Sequence, residues 1–255
     1  MIITILNQKG GVGKSDSSVN IAYGLASQGY KTLLIDLDPQ GHSSDRFVIE
    51  KNENLTIKEA FTNKNLNIKS LIVPALAKGE IITNLFVIPS DISLAMVAEH
   101  ITMKIHKEKL LFNHFKQVRD EYDYIILDCP PNLGVLTINA IFVGDLVIIP
   151  VKYEKESLKG VRDLFVTLEE VREGSNFTYK ILRNYYDKST TVTNEYIEGI
   201  LQNYTTNTFK TRIRKCEAIK QASIEDLPVA LFAPKSTGSQ DYSELVGEII
   251  LLHKD

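Results

Sequence analysis

The sequence predicts an α/β fold: a doubly wound, mostly parallel sheet with helices on both faces, in a single domain over residues 1–255. Three observations carry that expectation. Short aliphatic runs alternate along the chain with longer stretches of helical periodicity. The runs are apolar throughout, as strands are when helices cover both faces of their sheet. The first run passes through a glycine-rich turn straight into a helical stretch.

Taken in order, the expected strands are Ile2–Leu6, Thr32–Asp36, Leu85–Pro89, Tyr124–Asp128, Leu146–Pro150 and Tyr179–Asn184. The expected helices are Ser18–Gln28, Ile92–Met103, Lys107–Glu121, Glu156–Glu173, Thr193–Tyr204 and Ser239–His253. Asn52–Gly79 is rich in Asn and Lys and weakly periodic, and reads as short helices and loops on the surface. No repeat, low-complexity tract or linker divides the chain.

The formal net charge of −3 excludes a globally basic nucleic-acid coat but leaves room for a local basic patch. Two cysteines and no secretory leader point to a reducing, cytoplasmic setting. Met1 runs directly into the first strand, so no DNA-reading module is expected ahead of it. No apolar stretch approaches the ~20 residues that span a bilayer. The histidines at 42, 100, 106, 114 and 253 show no zinc-ligand spacing with the cysteines.

The turn after the first strand is Lys9-Gly10-Gly11-Val12-Gly13-Lys14-Ser15. Strand, glycine-rich turn and helix together make a phosphate-binding loop. Gly10, Gly11 and Gly13 accept backbone angles that let successive N–H groups converge on one anion, and the helix adds its positive end. Lys14 supplies a charge for the β- and γ-phosphates, and the Ser15 hydroxyl suits a magnesium ion. The ligand expected is a nucleoside triphosphate, or its diphosphate product, with Mg2+.

Two further strand ends belong with it, because ligands of such sheets sit beyond the carboxyl ends of the strands. Asp36-Leu37-Asp38-Pro39-Gln40-Gly41 follows the second strand. Alone it favours an Asx-turn or a helix cap over a functional site. Asp128 ends the Tyr124–Asp128 strand, where a carboxylate holds magnesium, usually through water. Pro130, Pro131 and Gly134 then break regular structure.

Lys9 stands directly before the glycine pair, and the position where the common motif has its first glycine is Gln8. The pattern K-G-G-x-G-K-S/T resembles the deviant phosphate loop of the ParA/MinD family of dimeric ATPases. Asp36–Gly41 matches that family's D-x-D-P-Q-G, and Asp128 through Ala140 its D-C-P-P-x-L-G-x-L-T-x-N-A. Ile149-Pro150-Val151 with Glu154, Ile181–Asp187, Thr211–Arg214 and Ala233–Ser236 extend the resemblance over essentially the whole chain and favour the partition ATPases, the ParA branch.

The resemblance implies a P-loop NTPase fold of the deviant Walker A type and a slow ATPase, its nucleotides being ATP and the product ADP. Lys9 would reach the partner's phosphates in a nucleotide-sandwich homodimer and act with Lys14 and Asp38 in catalysis. Asp38 would position the attacking water. Ser15, Asp36 and Asp128 would serve the metal, with Asp36 in its outer shell. Gly10, Gly11, Val12, Gly13, Lys14, Ser15 and Asp16 would hold the phosphates, with Pro234 near the adenine. The ATP-bound dimer would bind non-specific double-stranded DNA and associate with the nucleoid. A ParB-like centromere-binding protein would stimulate hydrolysis and so release it.

Asp16 departs from the pattern, which has threonine there for the α-phosphate. A carboxylate ~4 Å from a phosphate costs about 4 kcal/mol at an effective dielectric near 20, roughly a thousandfold in affinity. Either Asp16 turns away, or binding is weakened, or the nucleotide cycle is altered. Between Lys210 and Lys220 the chain carries Lys210, Arg212, Arg214, Lys215 and Lys220 against Glu217 alone. This run is a solvated face or, by the resemblance, the DNA contact. The last segment, Leu245–Asp255, carries one lysine and reads as a helix packed on the sheet, so a membrane partner is not expected. A membrane-associated positioning ATPase and a scaffold whose nucleotide site Asp16 has impaired remain the alternatives.

Overall fold

The computed structural model describes residues 1–48, 52, 55–154, 164–171 and 177–254. Its centre is β1 (Ile2–Ile5), followed by α1 (Lys14–Ser27), β2 (Thr32–Asp36), α2 (His42–Asp45) and α3 (Lys58–Thr62). Then come the hairpin β3 (Val73–Ala77) and β4 (Glu80–Ile88), α4 (Ser93–Ile101), α5 (Phe112–Phe115), β5 (Tyr124–Asp128), α6 (Val135–Val143) and β6 (Leu146–Lys152). A helix over 164–171, α7, precedes β7 (Thr178–Tyr186) and α8 (Thr191–Leu201). The chain closes with β8 (Thr208–Arg214), α9 (Glu217–Ile224), α10 (Val229–Phe232) and α11 (Thr237–Lys254).

The strands form one sheet in the order β3-β4-β2-β5-β1-β6-β7-β8, parallel except for the β3–β4 pair. Because the central strands β1, β2, β5 and β6 are buried on both faces, their alternate residues feed two separate cores. Ile2, Leu33, Leu127 and Ile149 pack under α3, α4, α6 and α8. Ile3, Ile5, Leu34, Ile126 and Ile148 pack under α1 and α11. The run of apolar residues is therefore a two-sided requirement, worth about 1.5–3 kcal/mol for each side chain fully buried. The apolar face of α11, with Leu245, Val246, Ile249 and Ile250, is buried in the second core, as the packed-helix reading expects.

Several elements differ from their expected bounds, each for a local reason. The first helix starts at Lys14 rather than Ser18, because Gly13 takes a left-handed φ of 86° that turns the chain into α1 at once. Lys107–Glu121 is broken into Lys107–Lys109, α5 and Arg119–Glu121. In a continuous helix the Leu111 N–H would donate to the Lys107 carbonyl. Here the Asn139 side chain intercepts both, its Oδ1 accepting from Leu111 at 3.1 Å and its Nδ2 donating to Lys107 at 2.6 Å.

Asn52–Gly79 contains a strand as well as short helices. Lys78 (φ 52°) and Gly79 (φ 82°) form a two-residue turn joining β3 to β4. The Leu85–Pro89 strand accordingly begins at Glu80. β8 was expected only as a basic run, and its alternation buries Phe209 and Ile213. The Thr193–Tyr204 helix begins at Thr191 and stops at Leu201. Of the expected helix Glu156–Glu173, residues 164–171 are helical, and the rest lies outside the described residues.

Candidate phosphate-binding site

The carboxyl ends of β1, β2 and β5 meet at one place, because β5 pairs with both of the others. Ile5 and Asp36 each stand in register with Asp128. A cleft of about 430 Å³ opens there, lined by the phosphate loop, Asp38, Gln40, Arg46 and Pro131 among others. Of the expected nucleotide residues, Gly10, Gly11, Gly13, Lys14, Ser15 and Asp16 line this cleft, whereas Val12 is buried behind it. Pro234 lies exposed in the turn between α10 and α11 and is not among the lining residues.

The loop is held from both sides. Gly11 and Gly13 have φ of 67° and 86°, so its glycines answer a conformational demand. The Lys14 ammonium donates to the Lys9 carbonyl at 3.1 Å, folding across the loop. Burial lowers the Lys14 pKa and Asp128 opposes the shift. Asn7, at the end of β1, accepts from the Lys9 N–H at 2.9 Å and donates to the Pro150 carbonyl at 2.7 Å. On the outer side Asn184 of β7 donates to the Val12 carbonyl at 2.9 Å.

Asp128 is fully buried. Its Oδ1 accepts from the Ser18 hydroxyl at 2.9 Å, while Oδ2 has no hydrogen-bond partner. Burial and the neighbouring Asp36 push its pKa up to about 7. Asp36 is equally buried, but its oxygens are engaged. Oδ1 accepts from the Asp38 N–H at 3.0 Å, and Oδ2 accepts from the Ser44 N–H at 2.9 Å and its hydroxyl at 2.6 Å. Asp36 therefore caps α2 and shapes the segment that carries Asp38. Asp38 caps the turn below it, accepting from the Gln40 N–H at 3.0 Å.

An orphaned buried carboxylate oxygen with Ser15 beside it suits magnesium coordinated largely by phosphate and water. No cluster of three or more His, Cys, Asp or Glu side chains able to hold a metal by itself occurs among the described residues. Cys129 and Cys216 are free thiols.

Lys9 pairs with Glu154 at 3.2 Å and is not itself among the residues lining the cleft, although the adjoining Gly10 is. The basic run proves less free than its composition suggests. Arg214 is bound by Asp241 through Nη2 at 2.6 Å and Nε at 3.0 Å. Lys215 pairs with Asp187 at 3.0 Å, Lys220 with Glu217 at 3.7 Å and Arg212 with Glu198 at 3.7 Å. Among the described residues, Lys210 makes no ion pair and is exposed. The net local excess of cations counted along the chain is thus largely compensated by carboxylates brought from elsewhere.

Several residues of the site were not singled out from the sequence as parts of it. Asn7, Ser44, Arg46 and Ser18 are polar residues in or near the recognised motifs, and burial is what distinguishes them. Asn184 ends an expected strand, and its role needs the β6–β7 pairing that sets it beside Gly13.

A doubly wound sheet with a phosphate loop at the end of its central strand defines a phosphate-loop NTPase fold. A family model described as AAA domain matches residues 1–181. The chain is 35% identical over 251 residues to the sporulation initiation inhibitor protein Soj of Bacillus subtilis, covering 97% of each. It is 33% identical over 254 residues to the chromosome partitioning protein ParA of Myxococcus xanthus, covering 98% of this chain and 87% of that one. Among solved structures, a putative plasmid partition protein of Borrelia burgdorferi bound to AMPPNP superposes with a TM-score of 0.80 at 28% identity, covering 98% of each chain. This chain belongs to the ParA/Soj family of phosphate-loop ATPases.

Proposed function

We propose that this chain is an ATP-dependent DNA partition protein that hydrolyses ATP slowly and uses dimerisation as its output. The observation that carries the reading is the assembly of Lys14, Ser15 and Asp38 around one cleft at three adjoining strand ends, with Asp128 buried beside Ser15. A magnesium ion held there would supply positive charge to offset that of the phosphates. Ser15 would ligate it directly and the open Asp128 oxygen would hold it through water. Asp36 would act through Asp38, by fixing the turn from which Asp38 orients the attacking water.

Lys9 supports the dimer. It is partly exposed, next to the cleft-lining Gly10, on a weak, solvent-screened pair with Glu154, so it can leave that partner for a phosphate on a second subunit at little cost. For DNA, Lys210, Arg212, Lys215 and Lys220 are the candidate contacts, whereas Arg214 is committed to the fold through Asp241. Exposed ion pairs exchange readily for DNA phosphates, and such contacts carry no sequence information. A centromere-binding partner of ParB type would trigger hydrolysis and detach the dimer from the nucleoid. No helix among the described residues is long and apolar enough to cross a membrane.

The deciding experiment is a titration of purified protein with ATP and magnesium that reads affinity and dimer mass together. Micromolar binding with a doubling of mass supports the reading. Binding without a mass change would remove the switch, and no binding would remove the ATPase assignment.

A further inference from the structure

The carboxylate that the sequence places against the phosphates does not stand alone. Asp16 Oδ1 meets Arg46 Nη2 at 2.8 Å, with the two side chains 21% and 5% exposed. Arg46 lies just past α2; its Nη1 donates to the Leu227 carbonyl at 3.3 Å, and Nη2, the nitrogen that meets Asp16, also donates to the Ser223 hydroxyl. Tyr185, whose backbone takes an unusual φ of 59°, also hydrogen-bonds Asp16. Asp16, Arg46, Tyr185 and Ser223 all line the phosphate cleft.

We propose that Arg46 is a positioning residue for the nucleotide: by neutralising Asp16, it lets this chain hold a nucleoside triphosphate with a carboxylate directly after the phosphate-loop serine. The inference rests on the nucleotide-site reading above. Its physical basis is the asymmetry of buried ion pairs. An intact pair presents little net charge to its surroundings, whereas removing one member leaves the other charged, desolvated and uncompensated. Beside a polyphosphate the two halves have opposite signs of effect. Without Arg46, the Asp16 charge repels the phosphates at close range. Without Asp16, the Arg46 guanidinium becomes a free cation with donors suited to phosphate oxygens. The pair also ties the first turn of α1 to the segment that Asp36 and Ser44 shape, so the phosphate loop and the Asp38 turn share one anchor.

The test is a four-protein cycle measuring affinity for a non-hydrolysable ATP analogue with magnesium: wild type, Arg46→Ala, Asp16→Thr and the double variant. Arg46→Ala should bind at least about tenfold more weakly, and Asp16→Thr at least as tightly as wild type. The double variant should return to within about threefold of wild type, a non-additivity only a coupled pair produces. A merely structural Arg46 would not be rescued by Asp16→Thr, so a double variant as weak as Arg46→Ala overturns the proposal. So does an Arg46→Ala protein that binds like wild type. Melting temperatures without nucleotide separate folding from binding. Should Arg46→Ala fail to fold, Arg46→Gln keeps the stem and a donor while removing the charge, and the same outcomes apply. A wild-type protein that binds no analogue at all rejects the nucleotide-site reading, which is a different failure.

Discussion

Asn184 packs against Gly13 so closely that its amide nitrogen lies 2.8 Å from where a Cβ on residue 13 would stand. The same nitrogen donates to the Val12 carbonyl, so β7 braces the phosphate loop from outside the cleft. Gly13→Ala combines a left-handed backbone with this contact. It should cost about 1–3 kcal/mol in stability and displace the loop, seen as a lowered melting temperature with lost ATP binding. Asn184→Ala leaves the Val12 carbonyl unpaired at about 1 kcal/mol and should weaken ATP binding with a smaller loss of stability. Full affinity in both variants would show that the brace is irrelevant to the ligand.

The two lysines of the loop should separate cleanly. Lys14→Ala removes the ammonium that folds over the loop and should abolish tight ATP binding. Lys9→Ala sacrifices only the pair with Glu154 and should keep ATP affinity while preventing the ATP-dependent rise in mass. Light scattering with and without ATP distinguishes them, and a Lys9→Ala protein that still dimerises would refute the sandwich arrangement.

Asp128 and Asp36 are adjacent buried carboxylates at neighbouring strand ends. Asp128→Asn keeps the shape and removes one of two like charges. Without nucleotide or metal, the variant should therefore be more stable than wild type at neutral pH, by about 1–3 kcal/mol. The same variant should lose magnesium-dependent phosphate release. Denaturant unfolding in EDTA checks the first half, and a lowered unfolding midpoint would contradict it.

Asp187 supplies a pH-dependent term of known sign. Bonds from the Ser189 hydroxyl and N–H and from Lys215 hold its pKa down at about 2, against an ordinary 3.8. A depressed carboxylate adds stability that is fully present above the ordinary value and is lost as pH falls through the folded one. Asp187→Ala should flatten the acid limb of stability between about pH 4 and 2, leaving its shape above pH 5 unchanged. Parallel limbs in the two proteins would dismiss the contribution.

Glu248 on α11 protects an open edge. Its two oxygens accept from the Lys210 and Thr211 N–H groups of β8 at 2.9 and 2.6 Å. Glu248→Ala should lower stability by about 1.5–3 kcal/mol and raise concentration-dependent aggregation, since an edge strand with free N–H groups is a template for pairing. Unfolding and light scattering over a concentration series test both effects.

What could be read along the chain follows from where the determining chemistry is local. The phosphate loop is legible because its glycines answer a backbone demand at their own positions and Lys14 and Ser15 adjoin them. The central strands are legible because burial on both faces requires an unbroken apolar run. β3 was hidden because Pro74 interrupts its short apolar run at the end of an Asn- and Lys-rich segment, although the Lys78-Gly79 turn was a local signal for its hairpin. The Lys107–Glu121 break had no local signal, because the intercepting Asn139 lies 28 residues beyond Leu111 in the chain.

The same division governs the charges. Composition alone made Asp16 a lone carboxylate and Lys210–Lys220 an uncompensated basic run. Folding sets Arg46 against Asp16 across 30 residues and Asp241 against Arg214 across 27. By itself the sequence determined the central strands of the sheet, the phosphate loop and the family. Which charges stand free was decided only by the tertiary structure, because Coulomb energies depend on distances in space that separation along the chain does not set.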